Sequence, residues 1–298
     1  PPTPYVYPNQ LSKPTPEVGT PTLPHPCTPG TDVALAVRDN GEFSDPARKA
    51  AMHPSHASNV AKFEDVGQWK RPWYYPKPGE TMHDALNREC LAARNGVGIL
   101  DASTLGKIDI QGPDAAEFLN RIYTNAWLKL GVGRCRYGLM LKEDGMVMDD
   151  GVTTCIGENH YHMTTTTGGA ANVLSWLEEW HQSERPELKV FFSSVTGQWS
   201  VVAINGPKSR AVMQKLCSDV DFSAEAFPFM AMKEGTVAGI PARLYRISFT
   251  GELSYEINVP ARYGLTLWEA LMEAGKEFDI TPTAPRPCTC CGPRRASS

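Results

Sequence analysis

Two adjacent carboxylates are the first residues in this chain whose type and setting could do chemistry. Asp149 and Asp150 sit in MVMDDGV, flanked by apolar residues as in a buried strand. Neighbours along a strand point to opposite faces, so one carboxyl faces solvent or a turn and the other faces inward. A carboxyl held in an apolar pocket has a raised pKa and can exchange a proton near neutrality. The plainer alternative is a pair of strand-end carboxylates bonded to backbone. Glu256, in GELSYEINV, follows Tyr255 and precedes Ile257 on an apparent strand. If those two are in the core, Glu256 is on the other face, where periodicity favours a solvated position. Thr164 to Thr167, followed by Gly168 and Gly169, read as a strand running into a helix start. A threonine there satisfies free amides, and the same amides could meet a ligand.

Several other chemistries are missing. There is no G-x-G-x-x-G after a strand, no phosphate-binding P-loop, no H-E-x-x-H and no C-x-x-C. His160 and His162 lie two apart and share one strand face, which could ligate a metal, but a half-exposed strand face is the plainer reading. No metal site is expected. Cys27, Cys90, Cys135, Cys155 and Cys217 are scattered singly, as buried, inert cysteines usually are. Cys288, Cys290 and Cys291 crowd the C-terminus, but three thiols fall short of the four ligands of structural zinc.

The elements that must position these residues follow from composition and periodicity. The 298 residues are 41% hydrophobic and 21% charged, with a net charge of −4. That is enough apolar material for a sizeable core, and it lacks the basic excess of a nucleic-acid binder. No apolar run approaches the ~20 residues of a membrane span, and the N-terminus lacks the order of a signal peptide. A soluble, cytoplasmic protein is expected; because the chain starts at Pro1 without Met, it reads as a piece of a longer one. Residues 1–29 are proline-rich and read as an extended linker, with a ligand for a proline-reading module as the alternative. GETMHDALNRECLAARNGVG predicts a helix from Thr81 to Arg94, closed by Gly96. GKIDIQG predicts a strand, and Pro113 opens the helix PDAAEFLNRIYTN. RYGLMLK, MVMDDGVTTCI and HYHMTTTT predict three strands, the first two joined at Glu143 to Gly145. GGAANVLSWLEEWHQ is helical, LKVFFSSV and WSVVAING are strands, and PKSRAVMQKLC is helical. TVAGIPARLYRISF and SYEINVP give further strands before the helix ARYGLTLWEALMEAGKEF. Strands in neighbouring pairs with helices between them imply an α+β fold with mainly antiparallel sheets.

With these residues in place, the chain resembles a known family. VGQWKRPWYYP, GVGILDASTLGKIDIQGPDAAEFLNRIYTN, GRCRYGLMLKEDGMVMDDGV, HMTTTTGGA, QWSVVAINGP and SFTGELSYEINVP carry the resemblance over roughly residues 29–282. They resemble the aminomethyltransferase (glycine-cleavage T-protein) family of folate-binding domains, in its sarcosine oxidase alpha-subunit branch. DASTLGKI and the upstream aromatic block are closer to that branch than to free-standing T-proteins. The resemblance implies a T-protein-like α+β fold around a cavity for tetrahydrofolate. It implies that the imine of oxidised sarcosine gives up its one-carbon unit there, as 5,10-methylenetetrahydrofolate. It also implies FAD and NAD in an upstream domain, FMN on a partner subunit, and beta, gamma and delta subunits as partners. The family's essential Asp falls on Asp150, which would stabilise a cationic iminium. The pterin-binding Glu falls on Glu256, as a bidentate acceptor. Tyr137 matches a pocket Tyr. Phe249 stands where T-proteins often have Tyr, leaving stacking alone. Thr166 falls near a position that is Asn in some relatives.

The resemblance further implies a domain plan and an irregular end. Residues 1–29 are a tail, 30–76 connect from a missing dinucleotide-binding domain, 77–282 are an incomplete folate domain, and 283–298 break the pattern. Where the family continues with a segment like YGTEAMHVLRAEKGF, this chain reads TAPRPCTCCGPRRAS. A GC-rich coding of the former, read one nucleotide out of frame, gives the latter residue for residue. The tail is thus expected to be a frameshift product, the fold to be C-terminally truncated, and the chain alone to be inactive. Two competing readings are a T-protein or dimethylglycine dehydrogenase-type aminomethyltransferase, and a non-catalytic folate-fold scaffold. Intact Asp150 and Glu256 speak against the scaffold.

Overall fold

Strand periodicity in this chain builds two sheets, each apolar on one face and polar on the other. The computed structural model describes residues 48–285. In chain order the strands are β1 (Arg48–Lys49), β2 (Lys62–Val66), β3 (Trp69–Tyr74), β4 (Gly98–Asp101), β5 (Gly106–Gln111), β6 (Cys135–Leu141) and β7 (Val147–Gly157). Then come β8 (His160–Thr165), β9 (Phe191–Ser194), β10 (Trp199–Asn205), β11 (Ala231–Val237), β12 (Ile240–Arg246), β13 (Ser254–Pro260) and β14 (Thr281–Thr283). The helices are α1 (His53–Ser58), α2 (Met82–Asn95), α3 (Ala115–Ile122), α4 (Ala170–Glu184), α5 (Ser209–Leu216) and α6 (Gly264–Gly275).

A five-stranded antiparallel sheet runs β6-β7-β8-β5-β9. Ile108 and Ile110 of β5 and Tyr161 and Met163 of β8 turn towards Phe118 and Leu119 of α3 and Val173 and Leu177 of α4. A six-stranded sheet runs β11-β12-β13-β10-β4-β14, antiparallel except for the parallel β4–β14 pair. Val202, Ile204, Tyr255, Ile257 and Val259 of this sheet pack with Val212 of α5 and Leu267, Trp268 and Leu271 of α6. A small third sheet runs β1-β3-β2. The mainly antiparallel α+β architecture expected from the sequence is the one observed.

Most boundaries fall where local chemistry put them. Thr81 caps α2 with a reciprocal box to Asp84, and Gly96 follows its end. Pro113 precedes rather than opens α3, whose N-cap is Asp114. The aromatic block holds β3 of the small sheet, and residues from Arg48 onward belong to the same compact unit as the two large sheets. Met52 is fully buried in the main core, and His56 stacks edge-on against Trp268 at 4.8 Å. These contacts cross residues 76–77, the boundary expected between connector and domain. Of the irregular tail, Thr283 completes β14 and its hydroxyl donates to the Ile99 carbonyl at 3.2 Å, while the Ala284 amide donates to buried Glu89 at 3.1 Å. Residues 1–47 and 286–298, with Cys27, Cys288, Cys290 and Cys291, lie outside the described residues. Of the remaining cysteines Cys135, Cys155 and Cys217 are buried as expected; Cys90 is only half-buried.

Candidate functional site

The polar faces of the two large sheets look towards each other, and a cavity of about 340 Å³ opens between them. Tyr137 of β6, Asp150 of β7, Thr166 after β8, Phe249 in the loop after β12 and Glu256 of β13 all line it. The five candidate residues, far apart in sequence, are thus brought to one place. The volume lies at the lower end of the range for small-molecule sites.

The five-stranded side of the cavity is held by hydrogen bonds within the protein. Asp149 is the buried member of the carboxylate pair, and the Thr166 hydroxyl and amide donate to it at 2.6 and 3.2 Å. Burial pushes the Asp149 carboxyl up despite those bonds. Asp150 points the other way, into the cavity, and accepts the Tyr137 phenol at 2.8 Å. Burial, reinforced by that bond to Asp150, pushes the phenol to about 12, so it stays a donor at neutral pH. Two glycines make the arrangement possible. A Cβ on Gly151 would lie 1.9 Å from the Thr164 carbonyl oxygen, and one on Gly169 would lie 2.7 Å from Asp149 Oδ1. The flank assumed to be buried is not: Met146 and Val147 are exposed.

The six-stranded side differs. Glu256 is not the solvated strand residue that periodicity favoured. It is half-buried and lines the cavity, and no hydrogen-bond donor among the described residues reaches its carboxylate. Burial raises its pKa to about 7, and the charge of Lys107 offsets this in part. Lys107 is itself fully buried and donates to the carbonyls of Ser103 and Leu105, both at 2.8 Å. Burial lowers its pKa to about 8. Phe249 is 58% exposed at the cavity.

Sequence reasoning missed three features of this region. Asp101, at the end of β4, lines the cavity and accepts from the Ser103 amide at 2.9 Å and from His56 Nε2 at 3.0 Å. Tyr75 contacts the other ring nitrogen of His56 at 3.1 Å. Arg71 of β3 reaches the cavity while paired with Glu64 at 2.7 Å. These residues come from short elements whose apolar or aromatic runs carry no clear period. His160 and His162 do share a face, but not a half-exposed one: His162 is buried, and both hold Asp109, at 3.2 and 2.6 Å. Among the described residues no group of His, Cys, Asp and Glu could hold a metal, and no helix is long and apolar enough to cross a membrane.

Fold and site together define a class. The sequence model of the GCVT N-terminal domain matches residues 52–288, and the chain belongs to this family. The glycine cleavage system aminomethyltransferase T from Bartonella henselae has the same fold, with a TM-score of 0.68 at 22% identity over 82% of this chain and 61% of that one.

Within the family, the chain is similar to sarcosine oxidase alpha subunits. It is 59% identical over 267 residues to that of Corynebacterium sp. (strain U-96), covering 89% of this chain and 28% of the relative. It is 47% identical over 269 residues to that of Rhizobium meliloti (strain 1021), covering 89% and 27%. The aminomethyltransferase of Koribacter versatilis (strain Ellin345) is 32% identical over 238 residues, covering 79% and 60%. The chain therefore spans less than a third of the length of its sarcosine oxidase relatives.

Proposed function

We propose that this chain is the folate-binding, one-carbon-transfer region of a sarcosine oxidase alpha subunit. The observation that carries the reading is the Glu256 carboxylate, half-buried at the cavity wall yet meeting no hydrogen-bond donor among the described residues. A buried polar group left unpaired is costly, and a ligand presenting two adjacent N–H groups would offset that cost as a bidentate partner. The amino-pyrimidinone edge of a pterin has that pattern, so the residues present fit a reduced folate. Phe249 would stack on the ligand, and Thr166 and Tyr137 would hold the Asp149–Asp150 pair in place.

In this reading tetrahydrofolate, when bound, supplies the nucleophilic nitrogens that accept the one-carbon unit. Asp150 faces the same space with its negative charge fixed by the Tyr137 phenol. A fixed charge aimed where positive charge develops costs no reorganisation during reaction, so Asp150 would stabilise a cationic iminium and exchange a proton with a folate nitrogen. Sarcosine would be oxidised on a partner subunit carrying FMN, and FAD and NAD would sit in an alpha-subunit domain upstream. The beta, gamma and delta subunits complete the proposed assembly. Enclosure of the cavity would protect the imine from water, which otherwise releases formaldehyde.

The direct test is calorimetric titration of the full 298-residue chain with a chemically stable reduced folate. Binding is expected, weakened roughly 10- to 100-fold by Glu256→Gln, the loss of a charge-assisted hydrogen-bond pair. Binding that ignores the substitution would remove Glu256 from the site, and no binding by the unaltered chain would remove the folate reading.

A further inference from the structure

Behind Glu256, away from the main cavity, the two sheets enclose a second, much smaller space of about 10 Å³. Glu256 lines both, together with Val152, Thr164 and Ile247. The register explains why this space is polar. Tyr245 of β12 lies opposite Glu256 of β13, and Arg243 lies opposite Asn258, all four on the face turned from the helices. Across the gap, Asp109 of β5 pairs with His162 of β8, again on the face turned from the helices. Polar side chains from both sheets therefore meet at this space.

Their hydrogen bonding is incomplete in a specific way. His162 Nε2, the Tyr245 hydroxyl, Asn258 Oδ1 and Arg243 NH1 are all buried without a partner in the protein. His162, Tyr245 and Asn258 are 1%, 4% and 2% exposed. The other ring nitrogen of His162 donates to Asp109 at 2.6 Å, which leaves Nε2 as an acceptor. Asn258 Oδ1 is also an acceptor. Of the groups that line the space, the Tyr245 hydroxyl and a protonated Glu256 are donors; Arg243 does not line it. Two acceptors and two donors around a space that holds one water are the full complement of a tetrahedral water site.

We propose that this space is a single-water site through which Glu256 and His162 form one proton-sharing pair. When Glu256 ionises, its O–H bond breaks and the water takes the proton. The water passes one of its own to His162 Nε2, where an N–H bond forms. Asp109 stabilises the resulting imidazolium, and His160, bonded to Asp109 at 3.2 Å and partly exposed, carries the array to the surface. The cavity carboxylate thus has a proton partner on its closed side, usable while a ligand fills the open one. The charged and titratable groups facing the pair are Lys107 and Asp109 from β5, Arg243 and Tyr245 from β12, and Cys135 from β6. Lys107 and Arg243 disfavour a lasting charge on His162, and Asp109 favours it. Burial holds the His162 ring below the ordinary histidine range, so its protonation is transient.

This inference stands whether or not the main cavity holds a folate, and its test uses none. The histidine ring nitrogens of the full 15N-labelled chain are followed by NMR across neutral pH. His162 is expected to show an inflection near pH 7, where Glu256 ionises. Glu256→Gln is expected to abolish it, and Tyr245→Phe to shrink it. A His162 inflection unchanged by Glu256→Gln, or absent from the unaltered chain, overturns the pair. If neither variant folds, a high-resolution crystal structure of the unaltered chain decides. A water bonded to Glu256, His162 and Asn258 is expected, and an empty space overturns the site.

Discussion

Two of the carboxylates that line the main cavity, Asp150 and Glu256, come from different sheets and are in opposite situations. Asp150, on the five-stranded side, takes a phenol from Tyr137, and its neighbour Asp149 is anchored by Thr166. Glu256, on the six-stranded side, has Lys107 near it in charge only, because that ammonium is committed to two backbone carbonyls. One end is satisfied by the protein before any ligand arrives, and the other is left open. A satisfied, oriented charge suits the stabilisation of charge that develops during a reaction. An unsatisfied one suits binding, because the ligand supplies bonds the apo protein lacks. Under the proposed function, the Asp150 end would do the chemistry and the Glu256 end the recognition.

The strongest way to break that assignment is Asp150→Asn in the assembled enzyme. Folate-dependent one-carbon transfer is expected to fall about 10²- to 10³-fold, the usual cost of losing a preorganised electrostatic contact. Amine oxidation should continue, with formaldehyde replacing the methylene product. Measuring both products under single-turnover conditions separates the two steps, and unchanged methylene formation would take Asp150 out of the chemistry. Geometry offers a second large effect. Gly151→Ala would push a methyl group against the Thr164 carbonyl, which lies 1.9 Å from the ideal Cβ position. Overpacking of this kind typically costs about 1–3 kcal/mol, and here the clash is with backbone, so the upper end is expected in a denaturant titration.

Much of this site was legible in the sequence, because the family resemblance pointed to the five residues that line the cavity and β6 to β8 were expected as strands. Asp150, Thr166 and Tyr137 fall on those strands or next to them. What could not be counted were contacts between sheets. Glu256 reads as solvated along its own strand and becomes enclosed only when the five-stranded sheet covers it. Lys107 alternates correctly with Ile108, yet nothing local says that its ammonium ends fully buried. Strand β4, buried at all four residues, reads as an apolar run without period, so Asp101 at its end went unnoticed. Strand β14 exists through parallel pairing with β4, a partner nearly the whole domain away.

The open end makes a prediction opposite in sign to the usual effect of a buried substitution. Glu256 has its pKa raised from 4.5 to about 7 in the native state. The native state therefore holds its proton more tightly than the unfolded chain. The favourable contribution is complete below pH 4.5 and is lost as pH rises to about 7. At pH 8 the wild-type chain carries the full cost of the buried charge, and Glu256→Gln is expected to be more stable by about 1–3 kcal/mol. The gain should vanish below about pH 5, in the acid window of carboxyl linkage. Thermal melts at the two pH values check this, and a destabilised variant at pH 8 would mean that Glu256 has a partner in the protein after all.

The smallest effect sharpens the comparison most. Tyr137→Phe removes one hydrogen bond from Asp150 and leaves the ring in place. The phenol is half-exposed, so the loss should be that of an ordinary hydrogen bond rather than of a buried one to a charged group, about 1 kcal/mol or roughly fivefold. That loss should fall on the rate of one-carbon transfer, since the phenol fixes the orientation of Asp150. Folate affinity should be unchanged, because Glu256 sits on the opposite sheet and shares no bond with Tyr137. Measured together, the two quantities test whether the ends act separately. A rate that falls while affinity holds keeps them distinct, whereas an equal loss in both would mean that Asp150 helps bind the folate and that the division between the two sheets is too sharp.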